Sequence, residues 1–203
     1  IGAEALFDNV KRVLSGKYFG FYPKTNFFIY PKDDIKKEAL RLSAVDSVEI
    51  VRGGSTLYIA VKEREPKYLW CGDLETPQED RRCFYVDAGG FSYSRAPEFS
   101  DHIFFEFYGG EKLGGYTGKN ILPTNQFNDV ASLADYLEKS VKQYISPSAE
   151  VYGADIKKNG DVDFLVEDGD DSWNIQSTVA LGYQEPSKKM GVAVSSPAFQ
   201  EEL

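Results

Sequence analysis

Two cysteines, Cys71 and Cys83, and a single histidine, His102, are the residues whose types could support nucleophilic or metal chemistry. The cysteines have eleven residues between them, among them Pro77 and a polar run, and each falls at the end of an expected strand. Three readings are open: a disulfide, part of a metal site, or a thiolate paired with His102. A zinc centre needs three or four nitrogen, sulfur or carboxylate ligands, more than two cysteines and one distant histidine supply. A Cys-His pair would have His102 as its only imidazole base. The acidic run Asp161, Asp163, Glu167, Asp168, Asp170 and Asp171 invites calcium, yet Leu165 occupies the place of the third oxygen ligand of an EF-hand loop. It reads instead as a solvated hairpin with acidic tips, without the burial that would separate two carboxylates into acid and base. Gly109–Gly115 lacks the spacing and the Ser/Thr of a P-loop, and no Gly-x-Gly-x-x-Gly follows a strand. These residues point away from catalysis, and no cofactor or metal is expected.

Composition narrows the classes further. The chain has 203 residues with 23 basic and 32 acidic side chains, a net charge of −9, which disfavours nucleic acid as the main ligand because phosphate binding runs on lysine and arginine. At 42% hydrophobic it can bury a core. No stretch approaches the ~20 apolar residues of a membrane span. The chain opens at Ile1, its only methionine is Met190, and it is expected to be a fragment or a processed form. Charge is uneven: residues 1–70 hold 12 basic and 9 acidic groups, net +3, and residues 71–203 hold 11 and 23, net −12. That asymmetry suggests two domains meeting near Pro66.

Ala5, Leu6, Val10, Val13 and Leu14 recur at helical spacing and predict a first helix over residues 3–14. Pro31-Lys32-Asp33-Asp34 starts a second, over 32–42, with Ile35, Ala39, Leu40 and Leu42 as its apolar stripe. Val45, Val48 and Ile50, then Leu57, Ile59 and Val61, flank a turn at Arg52–Ser55 and predict a hairpin. The aromatic loop from Tyr18 to Tyr30 is read as cover for the open end of this small core. Beyond Pro66, strands are expected at 67–71, 83–87, 91–93, 102–107, 150–157, 162–167 and 173–179, with one helix from about Asn125 or Asn128 to Tyr144. Phe104, Phe105, Phe107 and Tyr108 exceed strict alternation, which implies a strand covered on both faces or one face kept for a partner. The class is α+β: two helices on a short sheet, then a β-rich domain with one long helix.

Ser15-Gly16-Lys17-Tyr18, Pro23-Lys24-Thr25-Asn26-Phe27-Phe28, Tyr30-Pro31, Val48-Glu49-Ile50 and Leu57–Pro66 together resemble a POTRA domain. Glu63-Arg64-Glu65-Pro66 followed by Trp70, then Phe84-Tyr85-Val86-Asp87-Ala88-Gly89-Gly90, is similar to the junction of the bacterial division proteins FtsQ and DivIB. The resemblance implies a POTRA-like domain over 1–65, its opening strand expected before Ile1. A β-rich domain over 66–203 follows, truncated at its C-terminus. It implies a non-catalytic divisome scaffold on the extracytoplasmic face of the cytoplasmic membrane, anchored by an N-terminal helix outside this chain. Its partners would be FtsB/FtsL-like coiled-coil proteins, with septal synthases as further candidates.

In that compartment a disulfide between Cys71 and Cys83 is the expected outcome, and closing so short a loop contributes about 3 kcal/mol. Pro66 cannot donate to a ladder and ends the first domain's last strand. Arg64 reads first as part of a solvated strand end and second as an ion-pair partner of an acid in the second domain. Arg64, Pro66 and Trp70 form the expected junction. The expected partner-binding edge is Trp173, Ile175, Ser177 and Val179, against the equal alternative of an interior strand covered by chain beyond Leu203. Two other classes remain: a POTRA-bearing envelope chaperone or translocation component, and a glycan-binding module built on exposed aromatics.

Overall fold

Helix α1 (Ala3–Leu14) forms where the sequence places Leu6, Val10, Val13 and Leu14 on one stripe, with Glu4 in its first turn and Lys11 and Arg12 in its last, each favourable to the helix dipole. The computed structural model describes residues 3–26, 29–54, 56–77, 80–109, 117–169, 171–177 and 192–195. It is an α+β chain that divides into two compact units, Ile1–Glu65 and Pro66–Leu203. Among the described residues no helix is long and apolar enough to cross a membrane.

In the first unit a short ribbon, β1 (Lys17–Tyr18) with β2 (Tyr22–Pro23), follows α1, and α2 (Lys32–Ala39) follows the ribbon. Ile35 and Ala39 are fully buried. The sequence predicts this helix as far as Leu42, but it stops at Ala39. Arg41 N–H donates to the Glu38 carbonyl (3.3 Å) and Leu42 N–H to the Ala39 carbonyl (3.2 Å), so the last turn tightens to three-residue spacing. Strands β3 (Val45–Gly53) and β4 (Thr56–Glu63) then pair antiparallel, with Val48 opposite Val61 and Ile50 opposite Ile59. Val45 and Val48 lie three apart yet both point inward, because the register slips by a bulge between Val45 and Ser47. The core of this unit is Val10, Ile35, Ala39, Val45, Val48 and Ile50.

The second unit is built on one nine-stranded sheet. Its strands are β5 (Tyr68–Trp70), β6 (Phe84–Val86), β7 (Phe91–Arg95), β8 (Phe105–Gly109), β9 (Lys119–Asn120), β10 (Glu150–Ile156), β11 (Val162–Asp168), β12 (Asp171–Ser177) and β13 (Val192–Ser195), in the spatial order 13-12-11-10-8-5-6-7-9. The β8 pairings with β5 and β10 are parallel and all others antiparallel. A parallel neighbour needs a crossover, and α3 (Thr124–Tyr144) lies in the one between β8 and β10. Its buried stripe of Phe127, Val130, Ala134, Leu137 and Val141 packs on Tyr68, Trp70, Phe107, Phe164 and Val166.

Leu69, Cys71, Tyr108 and Leu165 point to the opposite face, where Leu74, Phe99 and Phe104 cover them. The aromatic excess at 104–108 therefore belongs to a strand covered on both faces. That strand begins at Phe105 rather than at His102, because Phe104 turns to pack with Tyr85 and Phe99.

Two glycines are required by close approach. Gly90 has φ +82° and sits against the Phe127 ring, where a Cβ would come within 2.7 Å. The turn before it is held by the Asp87 carboxylate, which accepts from Gly89 N–H (2.9 Å) and Phe91 N–H (3.0 Å). Gly109, φ +90°, closes β8 so near the Ile156 carbonyl that a Cβ would stand 2.1 Å away.

Candidate functional site

Four residues carry the sequence expectation of a partner-binding edge, and three of them are described. Trp173, Ile175 and Ser177 lie on β12, opposite Val166, Phe164 and Val162 of β11; Val179 lies outside the described residues. On its other side β12 pairs with β13, from Asn174 opposite Ser195 to Ser177 opposite Val192. Strand β12 is therefore second from the end of the sheet. Ile175 is 3% exposed and belongs to the main core, with Trp173 packed partly against it. The outer edge at this end falls to β13, which the sequence reading did not assign as a strand. Its signal is the short run Val192-Ala193-Val194-Ser195 between Gly191 and Pro197.

Among the described residues β13 covers Asn174–Ser177 and leaves Asp171, Ser172 and Trp173 paired on the β11 side alone. An edge of this kind presents main-chain donors and acceptors to an incoming strand. At the opposite end, β9 is two residues long and pairs only with Phe91 and Ser92 of β7, a much shorter template.

Cys71 follows β5 and Cys83 precedes β6. Trp70 is paired with Phe84 in that ladder, so the two cysteines meet at the next position and form a disulfide. Inside the loop they close, Arg81 Nη2 donates to the carbonyls of Leu74 and Thr76, both at 2.9 Å, and its guanidinium lies over the Tyr108 ring at 5.1 Å. Its Nε is buried with no acceptor among the described residues.

Beside this loop is a hollow of about 390 Å³ lined by Arg81, Arg82, Arg95, His102, Glu106 and Tyr152, among others. The three arginines are all that residues 66–203 contain. The Glu106 carboxylate accepts from the Tyr108 hydroxyl and lies 3.3 Å from His102 Nδ1, and the His102 ring stacks on Tyr152 at 4.2 Å. Burial, then the hydrogen bond to Glu106, holds the Tyr108 phenol well above its ordinary range. Burial, then the charges of Glu167 and Glu106, pushes Tyr152 up as well. Both phenols therefore stay protonated hydrogen-bond donors at neutral pH, and with three acids, Glu98, Asp101 and Glu106, facing the three arginines the hollow is a polar recess of mixed charge.

The acids of the 161–171 turn are dispersed. Asp161 accepts from Asn159 (2.6 Å), Asp163 faces Lys157 (3.3 Å), and Asp168 accepts from Ser148 (2.6 Å). Asp168 is held below its usual range by the Ser148 and then the Ser146 hydroxyl. Among the described residues no three of His, Cys, Asp and Glu converge as metal ligands would.

Of the expected junction residues, Arg64 is tied to its own unit. Its Nε donates to the Ser43 carbonyl (3.1 Å), its Nη1 lies 3.5 Å from Asp46, and its backbone N–H donates to the Ala44 carbonyl (2.9 Å). Pro66 is exposed between β4 and β5. Trp70 is a core residue of β5, 2% exposed.

The aromatic loop covers the core at Tyr30, which packs partly buried against it, and departs from that expected role at its tip: Phe19 is 92%, Phe21 83% and Tyr22 57% exposed. Phe27 and Phe28 lie outside the described residues. Gly20, set among four aromatics, is the signal that could have marked this stretch as a turn. No family model matches the chain, and no curated protein matches it.

Proposed function

We propose that this chain is the extracytoplasmic part of an FtsQ/DivIB-like division protein. In this reading it acts as a non-catalytic scaffold for septal peptidoglycan synthesis, anchored to the cytoplasmic membrane by a helix outside the chain. Its partners are FtsB/FtsL-like coiled-coil proteins, with septal synthases recruited through them. The observation that carries the reading is the end of the nine-stranded sheet at β13, which among the described residues has a strand on its inner side only. A partner segment added there as a tenth strand gains affinity from main-chain hydrogen bonds and specificity from alternate side chains. The Cys71–Cys83 disulfide supports an oxidising compartment.

The test follows from strand geometry. Successive N–H groups on an edge strand point alternately into and away from the sheet, so one of Ala193→Pro and Val194→Pro must remove an outward donor. Affinity for purified FtsB/FtsL-like segments, measured by titration calorimetry, should fall at least about tenfold in that variant, the size of a lost ladder contact. Equal binding by both variants and the unaltered chain, or no binding by any of them, overturns the proposal. Ile175→Pro, which the sequence reading alone would choose, breaks an interior strand and tests folding instead.

A further inference from the structure

The sharpest unexplained feature lies in the first unit, at the tip of the β1–β2 ribbon. Tyr18 pairs with Tyr22, leaving Phe19, Gly20 and Phe21 as the loop. Phe21 N–H donates to the Tyr18 carbonyl at 3.1 Å, and the turn so closed is of the mirror-image kind, with positive φ at both central residues: +49° at Phe19 and +77° at Gly20. Phe19 is the one non-glycine residue among those described with positive φ, a conformation that a bulky side chain adopts only under strain. The strain secures no core contact, because Phe19 is 92% and Phe21 83% exposed. Two phenyl rings are held out into solvent at a turn where glycine or asparagine would fit better.

Charge along the segment that holds the tip is one-sided, although Arg12 at its start lies 3.8 Å from Glu38. From Asn9 to Lys32 the sequence carries five cations, Lys11, Arg12, Lys17, Lys24 and Lys32, and no acid, in a chain whose net charge is −9. Lys17 is exposed at the start of β1, and Lys24 follows β2 with its ammonium 5.7 Å from the Tyr18 ring. Exposed rings flanked by lysines have the two affinities of an interfacial lipid anchor: apolar side chains for the boundary between headgroups and acyl chains, and cations for anionic headgroups.

We infer that the ribbon tip is a membrane-contact site, with Phe19 and Phe21 inserting among the lipids of an anionic bilayer and Lys17 and Lys24 seated at its headgroups. An anionic lipid surface uses both features at once, the apolar rings at the tip and the lysines beside them. The inference is independent of the scaffold reading, since it concerns a different unit and a different ligand.

The test is flotation of the 203-residue protein with vesicles of phosphatidylcholine alone and of equal parts phosphatidylcholine and phosphatidylglycerol. Binding to the anionic vesicles is expected to be about tenfold or more stronger and to weaken with salt. Phe19→Ser with Phe21→Ser should lower it at least about tenfold while leaving the melting temperature unreduced, because neither ring packs in the core. Lys17→Glu should lower it several-fold and flatten the salt dependence. No binding to either vesicle, or unchanged binding by the double variant, overturns the inference. So does ring-dependent binding to peptidoglycan fragments without vesicle binding, which would make the rings a glycan platform.

Discussion

The two units solve the burial problem differently. The second covers both faces of one sheet, with α3 on one side and the disulfide-closed loop and the Phe99–Phe104 segment on the other. Its large side chains, Trp70, Phe107, Tyr108, Phe127 and Phe164, are almost wholly out of water. Among its described residues the first unit has a two-stranded hairpin under two helices and six buried core residues, none of them aromatic, and it leaves Phe7, Phe19, Phe21 and Tyr22 exposed. A unit of this size sits near the limit at which a hydrophobic core suffices. Among its described aromatics Tyr30 packs partly against that core, whereas the rings at the ribbon tip add nothing to it. Among the described residues the larger unit buries its largest rings, while the smaller one holds Phe19 and Phe21 out in solvent.

The largest effect should come from the centre of the larger core. Phe127 is fully buried, with the rings of Tyr68 and Phe107 at 5.4 and 5.1 Å and Gly90 against its face. Phe127→Ala should destabilise the second unit by about 4 kcal/mol through lost transfer energy and an unfilled cavity. Native-state hydrogen exchange separates the units. Protection should fall along β5, β8 and β11, and the amides of α1, β3 and β4 should keep theirs. Loss of protection in both would show that the chain unfolds as one cooperative body and would remove the contrast drawn above.

A smaller effect is expected at the disulfide, which only the second unit possesses. Replacing both Cys71 and Cys83 by Ala should cost about 3 kcal/mol, the loop-closure value for a cross-link of this span. The hydrogen bonds from Arg81 to Leu74 and Thr76 retain part of the loop's structure, so the cost should appear in denaturant midpoints while the far-ultraviolet spectrum stays unchanged. A shift close to zero would mean that the loop is held mainly by Arg81, and Arg81→Ala in the cysteine-free background would then carry the missing energy.

The regularity of each unit sets how much of it was legible. Helix α1, the β3–β4 hairpin and α3 stood where apolar spacing placed them, because each presents one stripe or face to a core. The α+β class followed from their order. Strands β5 to β8 and β10 to β12 were found to within a few residues; the largest offset was at His102–Phe104, where aromatic residues lie beside the strand instead of in it. What escaped was short or irregular. The four-residue β13 and the two-residue β9 carry too little periodicity to stand out, so the open edge was assigned one strand too early, to Trp173, Ile175 and Ser177. The burial of Trp70 was not legible for a different reason: a tryptophan close after a charged rim gives no sign of which way its ring turns. The ribbon tip was misread because an aromatic loop looks the same in sequence whether it covers a core or leaves it.

That ambiguity can be resolved by a substitution expected to help stability and harm binding. Phe19 sits at φ +49° with its ring in solvent, so Phe19→Gly removes a strained backbone and little packing. It should stabilise the first unit by about 1 kcal/mol, the usual size of such strain less the extra freedom glycine has when unfolded. The same change removes one of the two rings assigned to the bilayer, so vesicle binding should weaken several-fold while the unit becomes harder to unfold. Residues retained for function at a cost in stability show this opposition of sign. If Phe19→Gly instead destabilises the unit, the ring makes contacts that matter to folding, and the contrast between a unit that buries its aromatics and one that displays them would fail at the residue where it is sharpest. Urea denaturation of the two proteins, followed by exchange at α2 and β3 and set beside flotation of the same samples, reads both signs in one comparison.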